Sequence, residues 1–147
     1  MKKVNMLRAP FKLEYSYKRS PGTVIKNFFS FLAEKKISGS VFSNGDIFVP
    51  AIEFHPETRE AAKEVIDLSE DITLEQWTWV SKPKSYHPLQ KPFAFGLVRV
   101  GNSRSTMLHL ISDCSEEDLS KDIQLKPCWD AKANEGMQLL AYFKINE

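Results

Sequence analysis

The sequence predicts an α+β protein, mainly β, in which an N-terminal helix precedes two small β-rich lobes. Three observations predict this class. Apolar residues recur at helical spacing from about residue 23 to 36. The stretch Gly39–Thr58 has the frame of a small zinc ribbon, although it carries no cysteine. From about residue 65 onward, short β-rich runs alternate with turn signals to the end of the chain. The expected boundaries are 1–37 for an arm and helix, 38–68 for the ribbon lobe and 69–147 for a barrel.

The elements follow in chain order. Pro21-Gly22-Thr23 breaks the chain, and Val24, Ile25, Phe28, Phe29 and Leu32 then form one apolar stripe. This stripe is either core packing or an aromatic anchor for a partner protein. Residues 38–54 read as two short strands around an Asn44-Gly45-Asp46 hairpin turn. Pro56 is placed to open a short helix over Glu57–Glu64. Val65–Leu68 and Leu74–Val80 read as strands, the second containing Trp77 and Trp79. Ser81–Lys91 is a polar, proline-containing loop. Phe93–Val100 and Thr106–Ile111 flank a Gly101-Asn102-Ser103 hairpin connection. Ser115–Leu119 has the pattern of a capped helical turn. Ile123–Trp129 and Met137–Ile145 supply the last strands, and strands of this length and spacing suggest a small barrel. Alternation should split Trp77, Trp79, Phe93 and Phe95 between core and surface.

A ribbon places four ligands in two C-x-x-C knuckles around one tetrahedral metal. In this frame the four positions are Val41, Asn44, His55 and Thr58, and His55 alone has metal-binding chemistry. Zinc is therefore expected to be absent. A structural zinc contributes ~10–16 kcal/mol to folding in small modules. The apolar set Val41, Phe42, Ile47, Phe48, Val49, Ile52 and Phe54 is expected to replace much of that as a small hydrophobic lobe.

Composition narrows the function. The chain of 147 residues is 42% hydrophobic and 27% charged, as in an ordinary globular protein. No apolar run approaches the ~20 residues of a membrane span, so no membrane partner is expected. The start Met1–Met6 is basic without a following apolar run, which argues against a signal peptide and for a cytoplasmic location. Cys114 and Cys128 make no disulfide framework and are expected to be free thiols.

The net charge of +1 hides alternating blocks. Residues 1–40 balance to +7, residues 41–75 to −7 and residues 113–147 to −4. Residues 76–112 carry Lys82, Lys84, Lys91, Arg99 and Arg104 with no acid. Alternating blocks serve attraction between segments on folding, and the all-basic block is also a candidate anion-binding face.

Catalytic patterns are absent from the sequence. There is no G-x-S-x-G, no phosphate-binding glycine loop and no paired-carboxylate pattern. The acids of Glu57–Glu75 read as a solvated face. His55 occupies a ligand position, His87 lies in the basic loop and His109 sits mid-strand, with no constellation among them. Acidic neighbours should disfavour a Cys114 thiolate, and Cys128 reads as core.

The order of parts resembles the zinc-ribbon/OB-fold family once called domain of unknown function 35, over roughly residues 15–145. Tyr17–Gly22 and the helix to Lys36 resemble its N-terminal arm. Gly39, Asn44-Gly45 and Val49-Pro50 resemble its ribbon frame, here without the four cysteines. Trp77–Val80, His87-Pro88, Pro92–Val98, Leu108–Ile111 and Leu139–Phe143 resemble its five-stranded OB barrel. The resemblance implies a rubredoxin-like ribbon that has degenerated, and a non-catalytic accessory subunit. Family members associate with thiolases and related acyl-CoA enzymes, and their barrel is thought to contact the acyl-CoA. No tightly bound cofactor is implied here, and a CoA thioester would be the ligand.

Lys84, Lys91, Arg99 and Arg104 are the candidates to meet CoA phosphates, on charge and placement. In the basic loop, Lys82, Lys84, Tyr86 and Lys91 mix cations with a ring that can stack on adenine. The same chemistry suits single-stranded nucleic acid on an OB fold, and that is the alternative reading. A merely solvated loop is the third.

Overall fold

The computed structural model describes residues 10–146. The basic start Met1–Met6 lies outside them.

The expected helix forms as α1, Thr23–Ala33, with Phe28 and Leu32 buried. It ends earlier than residue 36 because Lys35 adopts a left-handed φ of 60°. The Lys35 amide donates to the Leu32 carbonyl (2.9 Å) and the Lys36 amide to the Phe31 carbonyl (2.9 Å). This pair of bonds is a Schellman stop, made by lysine in the place where glycine is usual. The apolar stripe is used internally. Phe28, Leu32 and Ala51 form a small core with Val65, Trp129, Met137 and Leu139 around it. The helix therefore bridges the lobe and the barrel.

The lobe is a three-stranded antiparallel sheet in the order β2-β1-β3, with β1 Ser38–Val41, β2 Ile47–Phe48 and β3 Glu64–Asp67. The hairpin turn at Gly45 is present, with φ +86°. No helix forms over 57–64. Pro56–Thr58 is a turn, and an extended segment follows with a bridge between Phe54 and Ala61. The turn starts as a helix would, with the backbone N–H groups of Glu57 and Thr58 bound to the His55 side chain as at an N-cap, each at 3.1 Å. Arg59, with φ 60°, then donates to the His55 carbonyl (2.9 Å) and turns the chain back. In the proposed apolar set Phe42, Ile47, Phe48 and Val49 are buried, but Phe54 is 61% exposed.

The second sheet has five strands in the order β4-β5-β6-β8-β7. They are β4 Ile72–Val80, β5 Phe93–Val100, β6 Met107–Ile111, β7 Leu125–Trp129 and β8 Leu140–Ile145. Neighbours are antiparallel except β6 and β8, which run parallel and pair at one position, Ile111 with Phe143. The two outer strands meet near Thr73 and Gln124, where the Leu74 amide donates to the Ile123 carbonyl (3.1 Å). This closes the sheet into a five-stranded OB-like barrel. Met137–Leu139, expected as strand, belongs instead to a 3₁₀ turn, Gly136–Leu139, which lies against α1. The capped turn at Ser115 is present: Ser115 and Asp118 bond reciprocally, and Leu119 is buried behind them.

The barrel core contains Ile72, Leu74, Ala94, Val98, Val100, Ile111, Leu125 and Phe143, and the lobe contributes Ile37 and Val49 to it. Gly96 sits where a Cβ would lie 2.3 Å from Ile111 Cδ1, so only glycine lets Ile111 cross that point. The lobe is fastened to the barrel hairpin by Ser105, whose hydroxyl contacts both the amide and the carbonyl of Val49 at 2.8 Å.

Candidate functional site

Strand alternation decides what the barrel shows to solvent. On β5, Ala94, Val98 and Val100 point into the core, which leaves Phe95, Leu97 and Arg99 on the outer face. On β6, Met107 and Ile111 point inward, which leaves Leu108 and Leu110 outside. The register sets Phe95 beside Leu110 and Leu97 beside Leu108. The outer face of these two strands is thus an apolar patch, with Leu108 65% exposed.

Two loops flank the patch: 81–92 between β4 and β5, and 130–139 between β7 and β8. Together they frame a cavity of about 620 Å³, lined by Pro88 and Leu89 from the first loop, by Phe95, Leu108, His109 and Leu110 from the strands, and by Asp130, Gln138, Leu140 and Ala141. This volume lies within the usual range for small-molecule sites. The position, on strands 2 and 3 of the barrel between the first and last barrel loops, is the face on which OB folds hold ligands.

The first loop is held in shape by His87. Its Nδ1 accepts from the Lys84 amide (2.8 Å), and its ring meets Tyr86 and Phe93 edge-on, with centroids 4.6 and 5.8 Å away. Phe93 is buried and Phe95 borders the cavity, while Trp77 and Trp79 pack against the core. His109 packs edge-on against Phe143 (5.5 Å), and its Nδ1 is buried without a hydrogen-bond partner. Burial pulls its pKa below the usual imidazole value, opposed in part by the Leu110 and Leu140 backbone, so the ring stays neutral.

The four cations do not converge. Arg99 Nε binds the Glu75 carboxylate (2.6 Å), and its Nη1 donates to the Ser103 carbonyl (2.5 Å). Glu75 is the extra residue of a bulge between Leu74 and Gln76. Arg104 forks between Asp46 (2.7 Å) and Glu57 (2.9 Å) of the lobe. Lys91 pairs with Asp113 and lies over the Tyr142 ring, 5.2 Å from its centroid. Lys84 lies over Tyr86 (5.9 Å) and is the one of the four without a carboxylate partner among the described residues. Lys91 and Arg99 are eight residues apart along extended chain, roughly 26 Å, which is too far to share one phosphate. Lys84 and Lys91 belong to the loop beside the cavity, and Arg104 belongs to the join with the lobe.

The four positions that the ribbon frame singles out are used otherwise. Val41 ends β1 and Asn44 caps its own turn through Asp46. His55 is 2% exposed, between the rings of Phe42 (5.1 Å) and Phe48 (5.2 Å). Its Nδ1 accepts the two amides of the Pro56 turn, so its proton sits on Nε2 and is donated to Asp46 Oδ2 (2.9 Å). One imidazole thereby ties the Gly45 turn to the Pro56 turn. The bond from His55 is the largest influence holding the Asp46 carboxyl below its ordinary pKa, with Asn44 and Arg104 adding to it against partial burial. Sequence reasoning missed Asp46 and the second role of Arg104, which lie 9 and 49 residues from His55 and carry no local signal. Among the described residues, no group of three or more His, Cys, Asp or Glu is disposed to hold a metal.

The Cys114 thiol is pushed up by burial first, then by Asp118 and Asp113, which makes it a poor nucleophile. Cys128 is half-buried on the outer strand β7 rather than in the core.

No protein-family model matches the chain, and no curated protein matches it. Solved structures do. A protein of unknown function from the DUF35 family of Sulfolobus solfataricus superposes with a TM-score of 0.64 at 19% identity, covering 85% of this chain and 87% of that one. The Ltp2-ChsH2(DUF35) aldolase superposes with a TM-score of 0.61 at 7% identity, covering 87% of this chain and 98% of that one. Both carry the DUF35 name, the type that the sequence resembles, and the likeness establishes a shared fold.

Proposed function

We propose that this chain is a non-catalytic accessory subunit that binds an acyl-CoA thioester and serves a thiolase-type or related acyl-CoA enzyme in the cytoplasm. The observation that carries the reading is the apolar cavity on the ligand face of the barrel, bordered by the acid-free loop with Lys84 and Lys91. An acyl or pantetheine chain suits Leu89, Phe95, Leu108 and Leu140, and Lys84, in the loop beside them and without a carboxylate partner among the described residues, suits a phosphate. Lys91, Arg99 and Arg104 are committed to carboxylates, so they contribute to a CoA site only as background charge. The structural neighbour described as an aldolase with a DUF35 component supports an enzyme partner.

The lobe is proposed to fold without zinc, with His55 joining the turns that a metal would join. One tightly bound zinc per chain in elemental analysis would overturn that part.

Titration calorimetry with acetyl-, octanoyl- and palmitoyl-CoA tests the ligand, and capture of a thiolase-like enzyme from the native host tests the partner. Saturable 1:1 binding of a CoA thioester supports the reading. Salt-sensitive binding of a single-stranded oligonucleotide, with no response to CoA thioesters, would replace it by the nucleic-acid module.

A further inference from the structure

Strands β6 and β8 run parallel but share a single rung, Ile111 with Phe143. Beyond that rung, toward Leu108 and Leu140, they part, and the cavity lies in the wedge between them. The Ser112 amide donates to the Phe143 carbonyl (2.9 Å), so Ser112 faces β8. Residues two apart on a strand direct their backbone groups to the same edge. The backbone of Leu108 and the N–H of Leu110 therefore face the wedge, where no residue of β8 pairs with them. On the other side, β8 carries a bulge: Cys128 pairs with Tyr142 and Trp129 with Leu140, which leaves Ala141 with no opposite number. The buried, unpartnered Nδ1 of His109 belongs to the same wall.

A slot with apolar walls, unpaired strand-edge groups and one orphan imidazole nitrogen fits an extended chain that carries amides. An unsatisfied polar group is costly in such a place, so the slot selects a ligand that supplies partners. We infer that the wedge between β6 and β8 receives the pantetheine arm of the CoA thioester, laid along β6 as a partial strand whose amides bond to the Leu108 and Leu110 backbone and to His109 Nδ1. This rests on the acyl-CoA reading above and deepens it. The imidazole of His109 carries one donor and one acceptor nitrogen, so its unpartnered Nδ1 can pair with the N–H or the C=O of an amide. Ala141, the bulged residue of β8, lines the cavity.

The test compares S-octanoyl-pantetheine, which has two amides, with octanoate, which has none, on the full chain by calorimetry and by amide and imidazole NMR. The wedge predicts that octanoyl-pantetheine binds at least about tenfold more tightly than octanoate, the worth of two hydrogen bonds. Its addition should shift the amides of Leu108, Leu110 and Ala141 and the His109 Nδ1 resonance. Ala141→Trp, which fills the wedge, and His109→Leu, which removes the imidazole, should each weaken octanoyl-pantetheine while leaving octanoate binding less affected. The wild-type NMR shifts do not depend on either variant folding. Binding of octanoyl-CoA with no shift at Leu108, Leu110 and His109 overturns the wedge while the acyl-CoA reading stands. Absence of binding by every CoA thioester overturns both. Binding of an extended peptide in the wedge, with none of octanoyl-pantetheine, also overturns the inference and makes the slot a strand-addition site for a protein.

Discussion

Replacing His55 separates its two contributions to the lobe. The ring is buried between Phe42 and Phe48, and its nitrogens join the Glu57 and Thr58 amides to Asp46. His55→Phe keeps a ring of similar size and removes the nitrogens. Two turn amides then lose their acceptor, at about 0.5–1.5 kcal/mol each, so the loss should be about 1–3 kcal/mol. His55→Ala also opens a void, which brings the expected loss to about 3–5 kcal/mol. Against a total of about 5–15 kcal/mol for a domain, the second variant approaches unfolding. Urea unfolding followed by tryptophan fluorescence reads both, with the slope checked for a constant m-value. If His55→Phe unfolds within about 0.5 kcal/mol of the wild type, the span that separates neutral surface changes, the imidazole does not tie the turns together.

Three further outcomes follow from particular contacts. Folding lowers the carboxyl pKa of Asp46, so its contribution is present above the unfolded value of 3.8 and is lost as pH falls below it; urea midpoints should drop through that window, and less steeply in Asp46→Asn. Tyr142 donates to Asp113, which pushes its pKa from 10.0 up to about 12, so its contribution is full below 10 and is lost as pH rises toward the folded value. Tyr142→Phe should flatten the alkaline decline of the thermal midpoint between those values. Gly96→Ala sets a methyl against Ile111 and Leu74 and should destabilise the barrel by about 1–3 kcal/mol, again read by urea unfolding.

Much of the fold was legible because it is written in local periods. The stripe Val24–Leu32 carries the helical period in its own residues, and the Gly45, Gly101 and Ser115 turns carry their own chemistry. The helix expected over Glu57–Glu64 stops after one turn because Arg59, at φ 60°, leaves the right-handed region directly after the turn that His55 caps. Met137–Leu139 has strand composition, but contact with α1 holds it in a 3₁₀ turn. The site was less legible than the fold. The charge block pointed to a loop that borders the cavity, yet it could not show that Arg99 and Arg104 are matched to Glu75, Asp46 and Glu57, partners 24, 58 and 47 residues away. The cavity itself was hidden, because Leu89, Leu108, His109 and Leu140 meet only when β6 and β8 part.

The central claim is that the barrel holds a CoA thioester, and a calorimetric titration of the purified chain with octanoyl-CoA at moderate salt tests it most directly. The account predicts one saturable site that is weakened in Leu108→Asp, which places a charge in the cavity, and in Lys84→Ala, which removes the cation without a carboxylate partner from the loop beside it. No heat with any CoA thioester, together with salt-sensitive binding of single-stranded oligonucleotide that Lys84→Ala weakens, would contradict it.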